Sequence, residues 1–165
     1  MKEYIHGGDI YRHPDVLDYS ANINPLGTPP GVIRAAKDSM ERVCHYPDAC
    51  QEKLKQALAE YEQVPVEWLI CGNGAAELIF ALVQAVKPKR ALVLAPTFAE
   101  YAQALEAVGC EVNRAILKKE DGFSLQDRIL DRLQKEDLQM VFLCNPNNPT
   151  GILMDPKLLR KIVSL

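Results

Sequence analysis

Met140-Val141-Phe142-Leu143-Cys144-Asn145-Pro146-Asn147-Asn148-Pro149-Thr150-Gly151 joins five apolar residues to a loop of two prolines, three asparagines, a threonine and a glycine. The apolar run reads as a buried strand, and the residues after it are those that end strands in turns. A turn accounts for one proline and the glycine. It does not account for three amide side chains at the mouth of a buried strand. Ligands of open α/β sheets bind beyond the carboxyl ends of the strands. The loop therefore marks the candidate active site.

A second continuous apolar run, Ala91-Leu92-Val93-Leu94-Ala95, stops at Pro96 and reads as another strand. A helix from about Phe98 to Val108 follows it, closed by Gly109, and Glu111 to Leu117 alternates enough to be a third strand. Ser124 is the expected N-cap of a helix carrying Leu125, Ile129, Leu130 and Leu133. Pro156 sits at an N1 position and opens a last helix over 155–165. Upstream, Ala75 to Val86 has only Glu77 and Gln84 as polar residues and is expected to be a helix buried nearly all round. Residues 31–43 and 51–61 read as two more helices. Strands alternating with helices imply βαβ units. The expected fold is α/β, a three-layer αβα arrangement with a mostly parallel sheet. An irregular N-terminal arm over 1–30 precedes an α/β domain over 31–165.

Composition sets outer bounds. The length of 165 residues suffices for one domain with a sizeable core. A net charge of −3 gives no electrostatic case for nucleic acid or an anionic membrane. No apolar run approaches the ~18 residues of a bilayer span, and Met1-Lys2-Glu3-Tyr4-Ile5-His6 lacks the apolar core of a secretory signal. The five cysteines form no CxxC pair, so no metal site is expected, and free thiols suit a reducing cytoplasm.

Three further segments carry possible chemistry. Gly72-Asn73-Gly74-Ala75-Ala76-Glu77 opens the most apolar helix. It fits either a glycine turn feeding a helix or an anion site, with the N–H groups of Gly74, Ala75 and Ala76 aimed past the helix end. It is neither a Walker A loop nor a full dinucleotide fingerprint, which speaks against a nucleotide-binding domain. Pro96-Thr97-Phe98-Ala99-Glu100-Tyr101 puts two aromatics after a strand's carboxyl end; alone they favour core packing, and together with a site they could flank a planar ligand. His6-Gly7-Gly8-Asp9 fits a leader of no consequence, or a segment that wraps over a site and offers N–H groups to an anion.

Taken in order, His6-Gly7-Gly8, Tyr19 to Gly27, Tyr46-Pro47-Asp48-Ala49, Gly72-Asn73-Gly74, Phe98-Ala99-Glu100-Tyr101 and Asn147 to Gly151 make the chain resemble the first half of a fold-type I pyridoxal-phosphate enzyme. More narrowly it resembles the threonine-phosphate decarboxylases of cobalamin biosynthesis, close relatives of the histidinol-phosphate aminotransferases. The His-Gly-Gly start and the Ser-Ala-Asn-Ile-Asn-Pro-Leu-Gly run favour the decarboxylase side.

The resemblance implies pyridoxal 5′-phosphate as cofactor and gives each motif a role. Gly74, Ala75 and Ala76 would hold the cofactor phosphate, Tyr101 would stack on the pyridine ring, and Asn148 would donate to the ring hydroxylate oxygen. Tyr46 would reach the cofactor phosphate of the other subunit of a homodimer. Asn22 would contact the carboxylate of a phosphorylated amino-acid substrate, and His6 with Gly8 would face its phosphate. Where Ala76 stands the family usually carries a hydroxyl residue, so phosphate binding would lean on backbone N–H groups. The family's Schiff-base lysine, its pyridine-facing aspartate and its carboxylate-binding arginines lie beyond the Asn-Pro-Thr-Gly loop. No catalytic residue is therefore expected within this chain, which is expected to be an N-terminal portion unable to complete a cycle alone. An aminotransferase on histidinol phosphate and a non-catalytic phosphate-binding fragment are the competing expectations.

Overall fold

The structure, a computed structural model, describes residues 7–165. The chain divides into two compact units, Met1–Ile70 and Cys71–Leu165.

In the first unit, residues 7–29 are irregular. Helix α1 (Pro30–Ser39) starts with proline at its first position, where the missing N–H costs nothing. It tightens into a 3₁₀ turn, Met40–Arg42. Helix α2 (Glu52–Glu62) is preceded by the Asp48 turn: Asp48 accepts the main-chain N–H groups of Cys50 and Glu52, each at 3.0 Å. The aspartate of the Tyr-Pro-Asp-Ala motif thus fixes the start of a helix.

The second unit holds α3 (Gly74–Val86), β1 (Arg90–Ala95), α4 (Ala99–Ala107), β2 (Glu111–Ile116), α5 (Arg128–Lys135), β3 (Met140–Phe142) and α6 (Pro156–Val163). The three strands form one parallel sheet in the order β2-β1-β3. Arg90 pairs with Glu111 and Ala95 with Ile116 on one side of β1, and Ala91 pairs with Met140 on the other. The central strand is apolar along its length because both its faces are covered. Leu92 and Leu94 pack with Ala115, Ile129 of α5 and Leu158 of α6. The alternate residues Ala91 and Val93 pack with Val83 of α3 and with Ala104 and Leu105 of α4. This period of two divides the helices between the faces, giving the expected three-layer αβα unit.

Two sequence expectations are corrected. Helix α3 is not buried nearly all round: only Val83 is buried, and Phe80, Leu82 and Val86 are 39%, 50% and 49% exposed. Its composition is apolar on every side, but one stripe suffices to meet the sheet and α4, and composition does not reveal what covers the rest. Ser124 is not an N-cap. Helix α5 starts at Arg128 after Asp127, while the Ser124 N–H donates to the Asp121 carbonyl at 3.1 Å. The turn after Gly122 uses up the residues that helical spacing assigned to a first turn. By contrast Asp155 caps α6, accepting the Lys157 N–H at 2.8 Å.

Among the described residues, no helix is long and apolar enough to cross a membrane, and no cluster of His, Cys, Asp or Glu could hold a metal ion. All five cysteines are free thiols.

Candidate active site

The strand order places a crevice. From β1 the chain passes through α4 to β2 on one side, then through α5 on the opposite face to β3 on the other side. The loops leaving β1 and β3 therefore diverge at the carboxyl edge, the position where open α/β sheets bind ligands. Helix α3 brings its N-terminus to the same edge. Only Lys87-Pro88-Lys89 links it to the start of β1, so it runs back along the sheet. Thirteen helical residues rise about 20 Å, and the six residues of β1 span about the same length.

The two loops are joined by Asn147, whose side chain is buried at 4% exposure. Its Oδ1 accepts the Thr97 hydroxyl at 2.8 Å, and its Nδ2 donates to the Pro96 carbonyl at 3.1 Å and to Thr150 Oγ1 at 2.9 Å. Its main chain exchanges hydrogen bonds with Gly151 and Ile152. Asn145 Oδ1 accepts the Met154 N–H at 2.9 Å and anchors the far side of the loop. Two of the three amides are thus used by the fold. The third, Asn148, is exposed, and among the described residues only its main-chain N–H is engaged, donating to Cys144 Sγ at 3.4 Å. The excess of amides resolves into two clamps and one free carboxamide. Asn147 and Thr97 are the site residues that the sequence reading passed over. The Thr97–Asn147 pairing spans fifty positions and has no local spacing to betray it.

Tyr101 stands in the first turn of α4, half-buried. Its ring lies nearly parallel to Phe142, with centroids 4.6 Å apart and an interplanar angle of 11°, and meets Phe98 edge-on at 5.6 Å. Core packing and ligand stacking are not exclusive here, since Phe142 backs the ring while part of it stays accessible. Burial pushes its hydroxyl up to about 12, and the neighbouring Cys144 and Glu100 add to the effect. Tyr101 stays a neutral phenol at any physiological pH.

At the start of α3, Gly74 has φ +82°, a conformation that favours glycine. Its N–H donates to the Gly72 carbonyl at 2.9 Å. Of the three expected phosphate donors, Gly74 is therefore engaged in its own turn. Ala75 and Ala76 are exposed and keep their N–H groups open, and the Asn73 side chain does not cap the helix. An uncapped helix start with open amides suits an anion. Glu77 complicates it, because its carboxylate turns back onto the Asn73 N–H.

In the first unit, Gly8 donates its N–H to Ser20 Oγ at 2.8 Å, so that group is turned inward to the arm. A side chain at Gly7 would collide with the Ser20 carbonyl. Asn22 and Tyr46 are both exposed, Tyr46 fully. His6 lies outside the described residues. The structure thus brings Ala75, Ala76, Tyr101 and Asn148 to one unit, and Gly8, Asn22 and Tyr46 belong to the other.

The family model for aminotransferase class I and II matches residues 14–165. The chain belongs to the class I and II aminotransferase family. The threonine-phosphate decarboxylase of Salmonella typhimurium is 47% identical over 95% of this chain and 45% of its own length. A histidinol-phosphate aminotransferase of Desulfitobacterium hafniense is 36% identical over 92% of this chain and 44% of its own. Among solved structures, the histidinol-phosphate aminotransferase of Clostridium acetobutylicum superposes with a TM-score of 0.77 at 26% identity, covering 90% of this chain and 43% of that one. The chain spans less than half the length of these relatives. The family's enzymes depend on pyridoxal 5′-phosphate, and the fold agrees with theirs, an α/β unit on a parallel sheet.

The residues present fit that group. Open amides at Ala75 and Ala76 suit its phosphate, the backed ring of Tyr101 suits its planar pyridine, and the unused carboxamide of Asn148 suits a polar ring substituent.

Proposed function

We propose that this chain is the cofactor-phosphate and ring-binding part of an enzyme that decarboxylates L-threonine O-3-phosphate to 1-amino-2-propanol O-phosphate in cobalamin biosynthesis. The observation that carries the chemistry is the division of labour in the Asn145–Gly151 loop, where only Asn148 is left for a ligand. Support for the substrate comes from likeness: identity is 47% and 40% to two threonine-phosphate decarboxylases, the second of them putative, against 36% to a histidinol-phosphate aminotransferase.

In this reading residues 1–30 form an N-terminal arm and 31–165 part of the cofactor domain. Ala75 and Ala76 donate their N–H groups to the phosphate, assisted by the dipole of α3. Gly74 shapes the turn that exposes them. Tyr101 presents a ring held from behind by Phe142. Asn148 donates its carboxamide N–H to the ring oxygen and keeps that oxygen anionic. When bound, the cofactor would supply an electron sink for loss of the substrate carboxylate as carbon dioxide. His6, Gly8 and Asn22 receive the substrate, and Tyr46 serves the phosphate of a second subunit in a cytoplasmic homodimer. No lysine of this chain is assigned the Schiff-base role.

The test is an assay of the full-length protein with L-threonine O-3-phosphate and pyridoxal 5′-phosphate. Carbon dioxide release matched by amino-propanol phosphate is expected. Amino transfer without carbon dioxide release would replace this reading with the aminotransferase one.

A further inference from the structure

Two motifs of the N-terminal arm meet at Ser20. Its Oγ accepts the Gly8 N–H at 2.8 Å, across twelve positions of sequence. The same hydroxyl donates to Asp18 Oδ1 at 2.5 Å, and the Ser20 N–H donates to that carboxylate oxygen at 2.7 Å. A serine hydroxyl has one proton and two lone pairs. Asp18 takes the proton, which leaves a lone pair for Gly8. The main chains also approach closely, since a side chain at Gly7 would strike the Ser20 carbonyl. Nothing else described closes this loop. Tyr11, Val16 and Leu17 within it are exposed, so no apolar core holds it. The other printed bonds there are local, from the Ile10 N–H to the Gly8 carbonyl and from Arg12 to Asp9. Two residues beyond Ser20, Asn22 is exposed, and among the described residues its carboxamide has no hydrogen bond. Asn24 spends its own on the Gly27 carbonyl and the Leu26 N–H.

We infer that Ser20 is a positioning residue for substrate binding, a clasp that holds the Gly7-Gly8 main chain beside the segment carrying Asn22. This inference rests on the proposed reading in which Gly8 and Asn22 receive the substrate. The clasp makes the arm a closed loop before any ligand arrives. The ordering cost then falls on folding and not on binding, which strengthens binding without a new contact. The chemistry explains the residues. Position 20 needs one atom that donates to Asp18 and accepts from Gly8, and alanine can do neither. Position 7 has no room for a side chain. Gly8 serves the substrate by the turn it makes, because its N–H is held by Ser20.

The test compares Ser20→Ala, Ser20→Thr and Gly7→Ala with the parent in the full-length protein, by two readouts. The first is amide exchange of the segment 7–20, followed by mass spectrometry. Exchange should be faster in Ser20→Ala and Gly7→Ala, and close to the parent in Ser20→Thr, which keeps the hydroxyl. Equal exchange in all four proteins would show that no clasp holds the arm and would overturn the inference. The second readout is the kinetics of carbon dioxide release from L-threonine O-3-phosphate. Ser20→Ala should raise KM by roughly fivefold, the size of one net hydrogen bond, with kcat unchanged, as for a loss of binding that leaves the reacting atoms alone. Ser20→Thr should restore most of it. Gly7→Ala should raise KM as well, and combining it with Ser20→Ala should add little, because both open the same clasp. A parent KM in Ser20→Ala, a fall in kcat that accompanies lost thermal stability, or a Ser20→Thr protein as impaired as Ser20→Ala would each overturn the role of Ser20 alone. Failure of the parent to release carbon dioxide would overturn the substrate reading, and the positioning role with it.

Discussion

The Thr97 hydroxyl donates to Asn147 Oδ1 at 2.8 Å, tying the loop after β1 to the loop after β3. Both residues lie outside regular structure, yet this bond and its neighbour to the Pro96 carbonyl define the floor of the crevice. Removing the carboxamide leaves buried partners without hydrogen bonds. Asn147→Ala should therefore destabilise the second unit by about 1–3 kcal/mol. Asn148→Ala, at an exposed side chain, should change stability by less than ~0.5 kcal/mol while weakening pyridoxamine 5′-phosphate binding. Urea unfolding with a parallel binding titration separates the two. Equal destabilisation by both substitutions would contradict the division between clamp and ligand residue.

Glu77 places a carboxylate against the first turn of α3, where an incoming phosphate would meet it. Glu77→Gln removes the charge and keeps an acceptor for the Asn73 N–H. Phosphate-bearing probes should bind the variant a few-fold more tightly at low salt, and the gain should fade as ionic strength rises. Calorimetric titration with pyridoxamine 5′-phosphate at two salt concentrations checks it.

Asp48 is held below the usual carboxylate range by the N–H groups of Glu52 and then Cys50, and Asp18 by the side chain and then the N–H of Ser20. A carboxyl with a lowered folded pKa contributes stability above its unfolded value. That contribution disappears as pH falls through the folded value. The start of α2 should accordingly loosen in acid, below the ordinary aspartate range, and stay unchanged from there up through neutral pH. Amide exchange in the Gln51–Lys55 turn, followed against pH, should show this. Asp48→Asn should flatten the dependence.

Phe80, Leu82 and Val86 on α3 lie exposed, and β2 and β3 are the outer strands of the sheet. Exposed apolar faces and open strand edges invite association. The chain should self-associate in solution, and Phe80→Glu should shift it toward smaller species without unfolding it. Light scattering on the parent and the variant decides this; a monodisperse parent monomer would refute it.

Much of the fold was legible because its signals are local. Ala91 to Ala95 is apolar throughout, as a strand covered on both faces must be, and Pro156 with Asp155 announces α6. The candidate site was legible in its outline, since glycines, aromatics and amides gather where the strands end. What stayed hidden depends on partners distant in sequence. Residue chemistry alone does not distinguish Asn147 from Asn148, and only the family resemblance singled out Asn148; the physical distinction comes from Thr97 and Pro96, brought alongside by parallel pairing of β1 and β3. The exposure of α3 was missed because apolar composition reports what a helix can bury, not what is there to bury it.

The most direct test of the account is an amide NMR titration of the chain with pyridoxamine 5′-phosphate, and with pyridoxamine lacking the phosphate. The account predicts that the phosphate-bearing ligand alone shifts the N–H resonances of Ala75 and Ala76, and that both ligands shift Asn148 when they bind. Unmoved Ala75 and Ala76 resonances in a chain that binds the ligand would show that the start of α3 is not the phosphate site, and would contradict the account.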